Sequence, residues 1–328
     1  MEQIRYQIVL EAETPIAHAE GNIGNMSVAM ARSIRQPDGS FVRVPILTGD
    51  ALRHQLREAV TYALLDAAGL LAGDGPALSA AALRLLFNGG MLTGRGNANA
   101  VKLEEWRDMM SSLPSLRLFG GCANNHMIPG QLSVSDAVLI CEESKHLVPA
   151  WMLDGVTLAS YRSHVDLETR VRFDPTLKLD KRRLLSGDER DAIERKLIAS
   201  EVAHADDDAV AKEATKSTMM PRTAEVIAAG SLFAWDVTAT LYSDLDRDTY
   251  HVAIAAFLSN ARVGGKSGTG HGRVRAIAGN RVQLARPSEA AEKMDMRALS
   301  RDRVGDVFRA HVKDNAERLR AVLASVDA

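Results

Sequence analysis

The sequence predicts an α+β fold. Three observations carry this: strand patterns at the start, middle and end of the chain, two long helical patterns between them, and a glycine-rich loop leading from the second helix into the last strand. Residues 4–13 alternate, with Ile4, Tyr6, Ile8 and Leu10 on one side and Arg5, Gln7 and Glu11 mostly between them, the pattern of a half-buried strand. Residues 14–44 contain Pro15, Gly21, Gly24, Pro37 and Gly39 and read as loop, with Arg32, Arg35 and Arg43 along it.

Thr48-Gly49-Asp50 then opens a helix, with Thr48 as N-cap and Asp50 at the positive end of the helix dipole. Leu52, Leu56, Val60 and Leu64 recur every four residues and form its buried stripe, while Arg53 and Arg57 lie one turn apart on another stripe. Residues 71–115 hold the break AGDGP and two shorter helical patterns, 78–87 and 101–112, and read as a helical insertion. A second strand covers 131–141 (QLSVSDAVLIC) and a third 230–242, with Phe233, Trp235, Val237, Ala239 and Leu241 on one face. A helix over 248–262, the glycine loop and a strand over 272–285 follow; the tail, 288–328, is two charged amphipathic helices. Without the insertions the order is β-α-β-β-α-β, that of ferredoxin-like and RNA-recognition-motif domains, within one elaborated domain over 1–328.

Residues 143–229 stand outside this core. Arg170, Arg172, Lys178, Lys181, Arg182 and Arg183 face only Asp174 and Asp180 over 170–183, and an acidic stretch follows at 201–213. Such a charge run is ordinarily a solvated face, but the excursion is too long for a simple connection.

Composition narrows the function classes. A net charge of −2 argues against a polycationic nucleic-acid binder but leaves room for a local basic groove. Two cysteines, Cys122 and Cys141, exclude a disulfide framework and fit a reducing compartment. The start lacks an apolar signal core and no run of about 18 apolar residues occurs, so a cytoplasmic protein without membrane contact is expected. Cys122 and His126 are four apart, but no second ligand pair follows at zinc spacing, so neither a metal nor a cofactor is expected.

The loop Gly264-Gly265-Lys266-Ser267-Gly268-Thr269-Gly270-His271-Gly272-Arg273 has five glycines in nine residues. Bare amides beside Lys266, His271 and Arg273 suit phosphate. The alternative is a flexible turn with solvated cations. It is not a Walker A loop, because Asn260 stands where that motif needs glycine and the order runs from helix to strand.

Four stretches resemble the RAMP superfamily of CRISPR proteins, and within it the Cas-seven backbone subunit, most like that of type IV systems. They are Val44 to Arg57 (VPILTGDALRHQLR), Leu118-Phe119-Gly120-Gly121 with Gly130 to Ala137 (GQLSVSDA), Pro221 to Gly230 (PRTAEVIAAG), and the glycine loop. Thr48-Gly49-Asp50 replaces the family's small-residue turn and Arg53 its lysine.

The resemblance implies an RNA-recognition-motif palm, with 143–229 as a thumb that reaches over guide RNA toward a neighbouring subunit. It implies RNA-backbone contact by Thr48, Gly49, Arg53 and Arg57 and by Gly264, Gly265, Lys266, Ser267, Gly268, Gly270, His271 and Arg273, with Arg32 and Arg35 in the loop before the first helix. The thumb residues would be Arg170, Arg172, Lys178, Lys181, Arg182 and Arg183, with Met219 and Met220 placed to wedge beside a base. The implied partners are guide RNA, further copies of the chain, other effector subunits and a target strand, DNA rather than RNA. Few aromatics disfavour a stacking platform, and a guide binder contacts phosphate and 2′-hydroxyl groups. Type III relatives cut target RNA with an aspartate before the first helix; that position falls near Ser27, and no carboxylate lies between Gly21 and Gln36, so no cleavage is expected. Two alternatives remain: a RAMP-type endoribonuclease, and a protein-only assembly scaffold whose glycine loop is structural.

Overall fold

The structure, a computed structural model, describes residues 1–71, 78–90, 103–123, 126–173, 186–203, 219–277, 282–286, 289–294 and 304–326. The fold is α+β and the chain divides into two compact units. The larger comprises Met1–His18, Met30–Val165 and Ile227–Ala328; the smaller comprises Ala19–Ala29 and Asp166–Val226.

The larger unit is built on β1 (Glu2–Ala12). β12 (Leu232–Leu241) lies antiparallel to it from Glu2↔Leu241 to Glu11↔Leu232. On its other edge run β13 (Val274–Ala276) and β14 (Val282–Arg286). Beyond β12 come β8 (Leu132–Val134) and β9 (Ala137–Leu139), then β5 (Phe41–Leu47) and β4 (Ala31–Arg35).

Two helices cover one face. In α1 (Gly49–Ala67) the expected stripe of Leu52, Leu56, Val60 and Leu64 is fully buried. They meet Ile4, Tyr6, Ile8 and Leu10 of β1, and Phe233, Trp235, Val237, Ala239 and Leu241 of β12, in one core. The second helix, which we number α6 (Asp244–Ser259), starts earlier than its apolar pattern because Ser243 accepts a hydrogen bond from the Asp246 amide and caps it. Its Tyr250 hydroxyl donates to the Val237 carbonyl and its Phe257 ring meets Trp235 edge-on.

β1 is half-buried at its start, where Gln3 and Arg5 are exposed beside buried Ile4 and Tyr6, but from Tyr6 to Leu10 it is buried on both faces. Val9, pointing away from the helices, packs on Ile140, Val148 and Met152. The last two come from turns at Lys145–Leu147 and Ala150–Met152, so 143–165 belongs to the larger unit and not to the excursion.

The helical insertion holds α2 (Ala80–Asn88), α3 (Leu103–Ser112) and α4 (Pro114–Phe119). β6 (Gly121–Ala123) and β7 (His126–Ile128) form a short hairpin after it. Arg117 of α4 forms an ion pair with Asp246, which is 2% exposed, and joins the insertion to α6. The tail differs from expectation: Glu289–Met294 is a strand, β15, paired with β14, because the open edge of β14 offers hydrogen bonds that outweigh helical propensity in Glu-Ala-Ala-Glu. Two helices do follow, α7 (Asp306–Asp314) and α8 (Ala316–Ser325).

Residues 14–44, expected as loop, contain two hairpins instead. One is β4–β5; the other, β2 (Ala19–Ile23) with β3 (Met26–Ala29), belongs to the smaller unit. β2, β3 and β4 are short, with Ala29 and Ile34 their only buried residues, and β5 is buried in a continuous run from Val44 to Leu47, so none of the four carries a period-two signal. In the smaller unit the sheet order is β10 (Val165–Phe173), β11 (Met219–Ile227), β3, β2, with β11 and β3 parallel. Glu225 of β11 accepts from the Ala29 amide at 2.9 Å. The unit also contains α5 (Gly187–Ala203). Among the described residues no helix is long and apolar enough to cross a membrane.

Replacing Arg117 by methionine leaves the Asp246 carboxylate buried without its counter-ion. We expect a loss of about 3 kcal/mol in urea unfolding, with Arg117→Lys recovering part of it.

Candidate nucleic-acid interface

The start of α1 is held by three other parts of the larger unit. Val134 pairs with Val237 while Val138 pairs with Ala234, so four steps on one strand oppose three on the other and Ser135–Asp136 form a bulge. The bulge turns Asp136 toward the helix, where its Oδ1 accepts from the Gly49 amide at 2.7 Å. Its Oδ2 takes Arg32 Nε at 3.1 Å. Gly49 is glycine because a Cβ there would lie 2.6 Å from the Val134 carbonyl oxygen. Thr48 caps the helix as expected, its Oγ1 accepting from the Ala51 amide. The Thr48 amide donates to His18 Nε2 at 3.2 Å, so that nitrogen carries no proton. Burial lowers the His18 pKa, with the nearby Asp136 carboxylate opposing.

The amides of Thr48, Gly49 and Ala51 are therefore taken by protein groups. Arg53 and Arg57 are likewise engaged. Arg53 donates to the carbonyls of Leu132 at 2.7 Å and Phe119 at 2.6 Å, and Arg57 to Phe119 at 3.1 Å. Both guanidiniums lie over the Phe119 ring, at 5.7 and 5.3 Å. Burial pushes Arg57 down to about 10, and the Arg53 charge adds to this. These two arginines close the C-terminal end of α4, where cations match the exposed carbonyls. Arg35 and Arg43 are exposed on the β4–β5 hairpin.

The glycine loop is different. Residues 264–270 are exposed, while His271 and Gly272 are buried. Its two ends are pinned: the Gly265 amide donates to Ala17 at 2.7 Å and the Gly272 amide to Pro15 at 2.9 Å. Gly264 (φ 83°) and Gly272 (φ 85°) approach backbone so closely that a Cβ would lie 2.6 Å from Ala17 O and 2.3 Å from Val263 O. Between them Lys266 holds φ 61°, the one non-glycine residue among those described with positive φ. Such a residue costs about 1–2 kcal/mol and persists only where the surroundings demand it. The turn Ser267–Thr269 follows directly. A left-handed residue followed by a right-handed turn directs successive amides to one side, an arrangement that takes anions. The amides of Lys266, Ser267 and Gly268 have no backbone acceptor among the described residues, whereas those of Thr269, Gly270 and His271 close the turn. Arg273 is 55% exposed and 3.4 Å from Glu13.

Residues 17 and 18 bring the two predicted RNA-contact stretches together. Ala17 carries the glycine loop and His18 the α1 start. In the smaller unit Arg170 is exposed and paired with Glu168. The side chains of Arg172, Met219 and Met220 and all of Lys178, Lys181, Arg182 and Arg183 lie outside the described residues. Sequence reasoning missed His18 and placed Phe119 and Asp136 in the resembling stretches without giving either a role; the nearness of Gly49 to the Ser135-Asp136 turn has no signal in a single sequence.

No protein-family model matches this chain, and no curated protein matches it by sequence. Among solved structures it is similar in fold to a chain of a "Type IV-B CRISPR Complex", with a TM-score of 0.52 and 18% identity over 88% of this chain and 93% of that one.

Two outcomes follow from the loop and from His18. Lys266→Gly relieves the strained backbone and should leave thermal stability unchanged or raise it by up to about 1 kcal/mol, while Gly272→Ala should cost at least about 1 kcal/mol. His18 has a folded pKa below its ordinary 6.5, so the stability it supports is complete above 6.5 and is lost as pH falls through the folded value. The melting temperature should fall less between pH 7 and 5 in His18→Gln than in the native chain.

Proposed function

We propose that this chain is an RNA-binding subunit of a type IV-like CRISPR effector complex, a Cas-seven backbone subunit that repeats along guide RNA without cutting it. The observation that carries the reading is the exposed glycine loop, with Lys266 held in a left-handed conformation beside amides that have no backbone acceptor among the described residues. Anion-binding amides and one exposed cation grip a phosphate regardless of base, as a guide-holding subunit must. The fold likeness to a chain of a type IV-B complex supports the same reading. So does the sheet order: β13 and β14, then β1, then β12, then β8 and β9 is the order expected of a ferredoxin-like palm, to which β15, β5 and β4 are added.

On this reading the smaller unit is the thumb, and the partners are guide RNA, neighbouring copies, other effector subunits and a target strand, most readily DNA. The complex would act in the cytoplasm against plasmids or other mobile DNA. Ser27, near the position where type III relatives carry the cutting aspartate, is on β3 and donates its hydroxyl to Asn22, so target cleavage is not part of the proposal.

One set of observations favours the protein-only scaffold instead: Thr48, Gly49, Arg53 and Arg57 each hydrogen-bond within the protein. Size-exclusion chromatography with the 260/280 nm ratio, run with and without ribonuclease, separates the two. RNA binding predicts a large nucleic-acid-rich species that collapses on ribonuclease treatment and is lost in Lys266→Glu, with affinity falling steeply as salt rises. Assembly that survives ribonuclease, or RNA affinity flat with salt, would sink the proposal.

A further inference from the structure

Between α1 and the end of α6, the larger unit holds a cavity of about 300 Å³. Gln55, Glu58 and Tyr62 of α1 line one side, and Phe257, Asn260 and Arg262 the other. The cavity opens to water at Asn260 and at Tyr62, which is 49% exposed. The Tyr62 ring is steadied by Phe87, edge-on with centroids 5.3 Å apart, while half of its surface stays in water. Gln55 Nε2 meets only Glu58, at 3.4 Å, and the Asn260 side chain has no hydrogen-bond partner among the described residues. Each of these amides offers both donors and an acceptor, the two functions that a base edge requires.

Arg262 ties this cavity to the glycine loop. The stems of the loop pair with each other: the Val263 amide donates to Gly272 at 2.8 Å, the Val274 amide to Ala261 at 3.1 Å, and Arg262 stands opposite Arg273 in an antiparallel bridge. Residues opposed in this way project to one face, and like charges so placed are destabilising. Arg273 is relieved by Glu13 at 3.4 Å. Arg262 is not: its Nη1 lies 3.5 Å from the Ser267 carbonyl, and no carboxylate pairs with Arg262 or Lys266 among the described residues. Elsewhere on the larger unit Arg5, Arg32, Arg247 and Arg309 each have a carboxylate partner. The loop thus concentrates two cations without counter-ions beside the amides of Lys266, Ser267 and Gly268. That excess of positive charge is what a phosphate neutralises.

We propose that this cavity takes the nucleoside attached to the phosphate at the glycine loop, and that Arg262 bridges the two as a second cation on that phosphate. The Tyr62 ring stacks on the base, and Gln55 and Asn260 reach its edge. The inference rests on the RNA-binding role proposed above. A nucleoside fits better than a second phosphate, because Glu58 places a carboxylate in the wall. It fits better than an aliphatic side chain, because the groups at the opening are an aromatic ring and an amide. One ring serves one nucleoside, so the scarcity of aromatics that disfavours a stacking platform is no obstacle. Side-chain amides that can rotate meet any base, which keeps the contact independent of sequence.

The test is fluorescence anisotropy with a labelled 20-nucleotide single-stranded RNA and with the same ribose-phosphate chain lacking its bases. The proteins are the full chain and its Tyr62→Ala, Tyr62→Phe, Ser259→Leu, Arg262→Ala and Lys266→Glu variants. Ser259 also lines the cavity and is exposed, so its leucine fills the opening without burdening the core. The proposal expects Tyr62→Ala and Ser259→Leu to bind the base-bearing RNA about tenfold more weakly and the abasic chain as well as the native protein does. Tyr62→Phe, which keeps the ring, should bind both as the native chain does. Arg262→Ala should weaken binding to both about tenfold and lower the salt slope by about one. Lys266→Glu should weaken both. Native affinity of Tyr62→Ala and Ser259→Leu for the base-bearing RNA would overturn the nucleoside site while leaving the RNA-binding role intact, provided Lys266→Glu still fails. Equal losses of these two variants on both chains would also overturn it, since the cavity would then serve backbone contact or the fold. Unchanged binding by Arg262→Ala would overturn the bridge. A native chain that binds neither ligand would overturn both readings.

Discussion

The contact between the first turn of α1 and the bulge at Ser135–Asp136 is the constraint on which the larger unit depends. A helix end carries amides that its own backbone does not satisfy. Here they meet a carboxylate from the sheet, an imidazole from the segment after β1, and the Thr48 cap. Each partner comes from a different part of the chain, so one helix start aligns β1, β4 and the β8–β9 edge. The close approach of Gly49 to Val134 leaves no room for a side chain. A methyl group there would move the helix off the sheet.

The same economy governs the arginines near α1. A stripe of two arginines one turn apart invites a phosphate-binding reading, yet carbonyl oxygens of Phe119 and Leu132 occupy both guanidiniums. The difference lies in desolvation. Burial lowers the Arg57 pKa to about 10, and the Phe119 carbonyl replaces part of the water it loses. In exchange the helical insertion is clamped to α1 by Arg53 and Arg57 and to α6 by Arg117.

The glycine loop combines two roles in one stretch. Gly264 and Gly272 serve the fold, because each touches backbone where no Cβ fits. Gly268 and Gly270 have open space around them, and Lys266 holds its left-handed conformation while its carbonyl accepts from the amides of Thr269 and His271. Strain concentrated on an exposed cation, beside amides with no backbone acceptor among the described residues, is what distinguishes this loop from an ordinary turn.

The sequence by itself determined the α+β class, the α1 stripe with its Thr48 cap, the alternating face of β12 and the glycine loop. These signals are local: periodicity, capping and backbone permission act within a few residues. It did not determine the hairpins within 14–44, the strand at Glu289–Met294 or the covering of the Val9 face, since each depends on pairing or packing with distant chain. Only the tertiary structure decided that Asp136 reaches Gly49 and that Arg53 and Arg57 are spent internally. The reason is physical: a polar side chain's role follows from which partners remove it from water, and those partners are 66, 79 and 87 residues away in the cases of Arg53 with Phe119, Arg53 with Leu132 and Gly49 with Asp136.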